Sequence, residues 1–264
     1  MYSSEKIKAL EQLHYTMQLG GYFTELKHIP GADCAFTTRF TDVWYNQAYN
    51  IDNTANPRET LESIENYFRE RDRHSCVYTS VATNKSFVSE LEKQGYEVFE
   101  EESWMFAPVI NEGSDKSDFK ISAVIETYED FATVYRLGLP GPEVEDYIEA
   151  AIHIHKNTPE GIQIDYLIAY QDNQPVGMLG LHLTNQIGGV YAVATVPEFR
   201  GKGVANALNS EAHKLAQAAN CTHLMLQTVS GETSEKVFKK MGYQTEFIRT
   251  GYVPAKVAKS LTHG

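Results

Sequence analysis

The sequence predicts an α/β fold, a mixed sheet covered by helices, and it predicts that fold twice along the chain. Two observations carry this expectation. From residue 118 onward, strand-like and helix-like segments alternate in a regular order. In addition, "LEKQGYEVFEEESWMF" (91–106) parallels "FKKMGYQTEFIRTGYV" (238–253) at a shift of 147 residues, with Gly95-Tyr96 falling on Gly242-Tyr243. A chain of 264 residues with 42% hydrophobic and 11% aromatic content has the material for one large or two modest cores.

The elements follow in order. "MYSSEKIKALEQLHYTMQLGG" sets Ile7, Leu10, Leu13 and Met17 at helical spacing without an uninterrupted apolar run, so it reads as an amphipathic helix and not a signal peptide. "PRETLESIENYFRERD" is a helix and "SCVYTSVA" a strand; under the 147-residue shift they fall where the helix after residue 203 and the strand "THLMLQTV" lie in the second half. "NEGSDKSD" (111–118) is polar and turn-rich, which makes it a linker. The expected organisation is therefore a first domain over 1–110, a linker over 111–118 and a second domain over 119–264.

In the second domain "FKISAVIET" reads as a strand, and "EDFATVYRLGL" and "GPEVEDYIEAAIHIHK" as helices. "IDYLIAYQ", the turn "DNQ" and "PVGMLGLHL" form a hairpin, followed by the strand "GGVYAVATV". A helix then runs to about Asn220, with Val204, Leu208, Ala212, Leu215 and Ala216 as its buried stripe. The strand "THLMLQTV", the helix "ETSEKVFKKMG" and a closing strand pair "YQTEFIRTGYV" complete the chain.

Charge and composition exclude several functions. A net charge of −12 argues against nucleic acid as the main partner, because phosphate-backbone binding needs a basic face. Three widely spaced cysteines (Cys34, Cys76, Cys221) form neither a disulfide framework nor a zinc knuckle and fit a reducing cytoplasm. No run approaches the roughly 18 apolar residues of a membrane span. His153 and His155 stand two apart on a predicted helix and point to different faces, so no metal site is expected.

The densest functional signal is "ATVPEFRGKGVANAL". It sets Arg200-Gly201-Lys202-Gly203-Val204-Ala205 between a strand and an amphipathic helix. The unpaired N–H groups and positive dipole end of a helix N-terminus attract an anion. Gly201 and Gly203 let the backbone approach a diphosphate, and Arg200 and Lys202 add positive charge.

These residues resemble the signature of the GCN5-related N-acetyltransferases, Gln/Arg-x-x-Gly-x-Gly/Ala after a bulged strand. "ATVPEF" and "VFKKMGY" (237–243) are similar to the segments that flank it in that family. The resemblance spans about 118–255. It implies acetyl-CoA as co-substrate, with its pyrophosphate on the amides of 201–205 and its pantetheine lying as a pseudo-strand along Ala194, Thr195 and Val196. A backbone N–H near Thr195 or Val196 would polarise the thioester carbonyl. The reaction implied is direct attack by a neutral amine, with no covalent enzyme intermediate.

The family's usual acid and base are missing. Its tyrosine acid falls at Phe238, beside the thioester end of the cofactor, and its asparagine at Gly231. A glutamate base used by some relatives falls at Leu226. Candidate local groups are Tyr191, His182 and Ser230, each of which also has a packing or capping role open to it. Glu143, Glu145 and Asp146 either steer a cationic acceptor or form a solvated helix face.

In the first copy the shift sets "NTANPR" (53–58) opposite the glycine turn. Asn56 can cap the helix there, Pro57 occupies its first position, and Glu59 brings a carboxylate to the dipole. This degenerate copy should bind no CoA. The sequence thus reads as a tandem acetyl-CoA-dependent N-acetyltransferase acting on a small amine, with a homo-oligomer left open. The alternatives are an acyl-CoA-binding regulatory module with little or no turnover, and a tandem-domain transferase of amino-acyl groups.

Overall fold

The structure, a computed structural model, describes residues 2–110, 118–123 and 128–261. The expected linker lies outside the described residues except for Asp118, as do residues 124–127 of the strand expected after it. In chain order the elements are α1 (Ser4–Met17), β1 (Glu25–Ile29), β2 (Ala32–Phe36), β3 (Gln47–Tyr49), α2 (Pro57–Arg69), β4 (Cys76–Ser80), α3 (Lys85–Lys93) and β5 (Tyr96–Pro108). There follow β6 (Lys120–Ala123), α4 (Glu129–Gly138), α5 (Val144–Lys156), β7 (Gln163–Gln171), β8 (Gln174–Leu183), β9 (Ile187–Thr195), α6 (Val204–Ala218), β10 (His223–Val229), α7 (Thr233–Lys240), β11 (Gln244–Pro254) and α8 (Ala255–Leu261).

Two compact units result. One comprises 1–105, 227–236 and 245–264; the other comprises 106–226 and 237–244. The division expected from sequence order, 1–110 and 119–264, is crossed by β11. The segment expected as a closing strand pair is this single strand, and it pairs antiparallel with β4 of the first unit, Arg249 opposite Ser80 through Tyr252 opposite Val77.

In the first unit the strand order is β1-β2-β3-β4-β11-β5. The three leading strands pair antiparallel, and α2 crosses over to set β4 parallel to β3. Leu61, Ile64 and Phe68 recur at helical spacing on α2 and bury against Cys34, Ala48 and Val77 of the sheet. On α1, Ile7, Leu10 and Met17 are buried as expected. Leu13 is only half-buried, whereas Glu11, His14 and Tyr15 are inside. The helix is turned toward a buried polar cluster centred on Arg249.

In the second unit the order is β10-β9-β8-β7-β6. The β7–β8 hairpin turns at Asp172 and Asn173, both left-handed (φ +51° and +64°), the pairing of conformations a type I′ turn requires. Alternation along β8 sorts its residues between two helical layers. Gly177 faces Val204 and Leu208 of α6, so Leu179, Leu181 and Leu183 share that side. Met178, Gly180 and His182 face the other, where Tyr166 donates its hydroxyl to the Ala151 carbonyl of α5 at 2.8 Å. Of the stripe expected on α6, Val204, Leu208, Ala212 and Ala216 are buried and Leu215 is half-buried.

Both units thread strand, helix and parallel strand in the same way. β3 meets β4 at Gln47–Cys76, and β9 meets β10 at Ile187–His223. The 147-residue shift carries Cys76 onto His223.

Candidate active site

The site is built from the end of β9 and the start of α6. Between Tyr191, opposite Gly180, and Ala194, opposite Met178, β9 has two residues where β8 has one. Ala192 adopts a left-handed φ of +48° in this bulge. On its other edge β9 pairs with β10 only from Ile187 to Gly189, so Val190–Thr195 meets no neighbouring strand there among the described residues. Its edge is open to an extended ligand.

The two amides expected at the thioester are distinguished by their partners. Val196 N–H donates to the Val176 carbonyl at 3.0 Å and is committed to the sheet. In an antiparallel ladder such a pair alternates with one whose N–H and C=O point outward. Thr195, one residue earlier and opposite Gly177, therefore turns its N–H toward the open edge. By the same alternation Ala194 bonds back toward β8.

The glycine turn follows a short 3-10 segment, Pro197–Phe199. Gly201 and Gly203 both stand at positive φ, +75° and +89°, conformations costly for other residues. Gly203 is the N-cap of α6 and supplies no side-chain cap, so Val204 and Ala205 begin the helix with amides directed outward. Lys202 lies 4.7 Å over the Phe199 ring. Arg200 has a different partner set from the one its charge suggests. Its Nε donates to the Thr195 carbonyl at 3.3 Å and its Nη2 to the Gly138 carbonyl at 3.2 Å. It straps the end of β9 to the end of α4.

His182 and Tyr191 come together. Their rings meet edge to face, with centroids 4.8 Å apart, on the α4/α5 side of the sheet. Gly189 makes the room, because a Cβ there would sit 2.6 Å from the Tyr191 ring. His182 is buried and Tyr191 half-buried. Ser230 falls in the other unit, where its N–H donates to the Glu101 carbonyl at 2.8 Å. Phe238 is half-buried, with its ring edge-on to Tyr243 at 5.6 Å. Tyr243 in turn donates to Asn209 of α6 at 2.9 Å, and burial pushes its phenol pKa up.

Sequence reading missed a second aromatic group on the α4/α5 side. The Tyr128 hydroxyl lies 2.8 Å from His155 Nδ1, and His155 packs on Tyr166. Burial lowers the His155 pKa, which keeps its imidazole neutral near pH 7. His153 is exposed on the opposite side of α5. The only sequence signal was the two-residue spacing, which separates these histidines without naming a partner for either. Of the acids expected to steer a cation, Glu145 is held by Arg136 at 2.6 and 2.8 Å, and Glu143 accepts from Tyr147 at 3.2 Å.

The corresponding place in the first unit is closed by protein. Asn56 Oδ1 accepts from the N–H groups of Arg58 and Glu59, with Pro57 at the first turn of α2. Asn53 bridges to the Ala82 carbonyl at 2.7 Å and the Asn84 N–H at 2.6 Å.

Residues 124–243, a little under half of the chain, match the model of the acetyltransferase (GNAT) family. Among solved structures, a GCN5-related N-acetyltransferase from Kribbella flavida is 13% identical with a TM-score of 0.70, over 96% of each chain. A tandem GNAT protein from the clavulanic acid biosynthesis pathway is 10% identical with a TM-score of 0.62, over 84% of this chain and 77% of its own. A GCN5-related N-acetyltransferase from Sphaerobacter thermophilus is 14% identical with a TM-score of 0.61, over 87% of this chain and 82% of its own. At these identities the likeness is one of fold, and it extends over nearly the whole chain, in agreement with two GNAT-like copies. No curated protein matches the sequence. Among the described residues no cluster of three or more His, Cys, Asp or Glu could hold a metal, and no helix is long and apolar enough to cross a membrane.

Proposed function

We propose that the second unit binds acetyl-CoA and transfers its acetyl group to the amine of a small acceptor. The observation that carries this reading is the junction of an open-edged, bulged β9 with a glycine turn whose helix start has no side-chain cap. In this reading the amides of Gly201, Gly203, Val204 and Ala205 hold the pyrophosphate, with Lys202 adding charge. Ala194, Thr195 and Val196 border the pantetheine, and the outward Thr195 N–H polarises the acyl carbonyl.

Acetyl-CoA supplies an activated acyl group. The acceptor nitrogen forms a bond to the acyl carbon as the carbon–sulfur bond breaks, one proton leaves the nitrogen, and the thiolate gains one. Phe238 has no proton to give, so alignment of the two reactants carries much of the rate and water carries the protons. His182 and Tyr191 are the titratable pair on the α4/α5 side, from which the amine would enter. The first unit binds no CoA because its own Asn56 occupies the helix start. The three cysteines are free and buried, in keeping with a cytoplasmic protein.

The test is thiol release from acetyl-CoA across amines, amino acids, polyamines and aminoglycosides. Turnover with one acceptor class supports the enzyme. Tight acetyl-CoA binding with no turnover on any of them gives the chain instead to a regulatory module, the reading that Phe238 favours.

A further inference from the structure

The first unit contains a cavity of about 380 Å³ that the proposed chemistry does not use. Phe68 and Tyr96 form part of its wall, and Arg69, Arg73, His74 and Lys256 converge on it. We propose that it binds a small organic anion with a phosphate-type head and an apolar body.

The charges argue for this. Among the described residues none of these four cationic or protonatable side chains has an acidic partner within ion-pair distance, although the chain as a whole carries a net charge of −12. Glu65 and Asp72 share the wall and offset two of its three permanent cations, but neither makes an ion pair with one: Glu65 accepts the Tyr96 hydroxyl at 3.1 Å, and Asp72 is exposed on a left-handed turn. The lining keeps a positive excess whose guanidinium and ammonium groups have no ion-pair partner, and an anion would supply one.

The cations are also not needed to satisfy the end of α2. Its final carbonyls already accept backbone N–H groups, Phe68 from Arg71 and Arg73 at 3.0 Å each, and Arg69 from Asp72 at 3.1 Å. Arg73 is fixed in place, with Nε on the Phe40 carbonyl at 3.2 Å and Nη1 on the Asp72 carbonyl at 3.0 Å, and this leaves Nη2 for a ligand. Planar guanidinium forks match the oxygens of a phosphate. The volume suits a small molecule, since such sites typically span about 300–1,000 Å³.

The test titrates the full chain with inorganic phosphate at constant ionic strength, with acetyl-CoA present so that the glycine turn is engaged, and repeats it with the Gly203→Asp protein. The proposal expects one saturable phosphate site in both proteins. The Arg69→Ala/Lys256→Ala double variant, altered only at exposed side chains, should weaken that site roughly tenfold or more. Arg69→Glu/Lys256→Glu should abolish it with the melting temperature retained. Absence of saturable binding, or binding that survives both variants, overturns the proposal. Loss of the phosphate site on Gly203→Asp alone would assign it to the glycine turn and overturn the proposal as well.

Discussion

Arg200 donates from Nη2 to the Gly138 carbonyl at 3.2 Å while its Nε holds the Thr195 carbonyl. The residue that opens the family signature is therefore a strap on the backbone beside the proposed acyl site. Lysine keeps the charge but cannot span two carbonyls with a rigid fork. Arg200→Lys should thus behave like Arg200→Ala, with each lost hydrogen bond worth about 1 kcal/mol. Hydrogen exchange at the end of α4 and at Thr195 should quicken in both variants. Wild-type exchange rates in Arg200→Lys would show that charge alone is what matters at this position.

Arg249 is buried with Glu102 at 2.8 Å and Glu11 at 3.5 Å, and it stacks on Tyr78 and Trp104. Arg249→Met should cost roughly 3–5 kcal/mol, because it leaves the buried Glu11 and the half-buried Glu102 without their cation. Chemical denaturation of the full chain measures this. The first unit should unfold first, since β11, which carries Arg249, pairs with β4 in that unit.

One guanidinium serves both the buried Glu11 and the half-buried Glu102, and Glu102 has the closer contact. Burial pushes the Glu11 pKa up to about 7 against the pull of Arg249. A carboxyl whose folded pKa is raised adds stability that is fully present below its unfolded value near 4.5 and is lost as pH rises through about 7. Relative to Glu11→Gln, the wild type should lose roughly 1.4 kcal/mol per pH unit within that window and nothing further above it. Parallel melting curves for the two proteins from pH 4 to 9 would place Glu11 outside this account.

Phe238→Tyr restores a hydroxyl at the family's acid position. Such an acid contributes up to roughly 10²–10⁴-fold elsewhere, but the gain here should be far smaller, because thiolate is already a tolerable leaving group. Tyr191→Phe and His182→Ala, assayed on the best amine found, report whether the edge-to-face pair moves protons. A fall by orders of magnitude in either assigns it that role. Unchanged rates leave the pair as packing.

Much of this molecule was legible in its sequence. Strong periodicity gave α2 and α6, and the hairpin turn was visible in Asp172-Asn173. The cap at Asn56 followed from local chemistry that needs no tertiary contact. The glycine turn was equally local. What sequence could not supply were pairings between distant residues. Nothing near Arg249 signals that β11 lies against β4, or that Glu11 and Tyr15 of α1 turn inward to meet a guanidinium more than two hundred positions away. The same holds for Arg200, whose charge suggested an anion but whose nearest acceptors are two carbonyls.

The central claim is a single acetyl-CoA site per chain at the β9–α6 junction, and calorimetry tests it most directly. Titration of the full chain with acetyl-CoA should give one site. Gly203→Asp should give none while remaining folded, since it places a carboxylate and a strained left-handed residue where the pyrophosphate would lie. Two sites per chain, or unchanged affinity in a folded Gly203→Asp protein, would contradict the account.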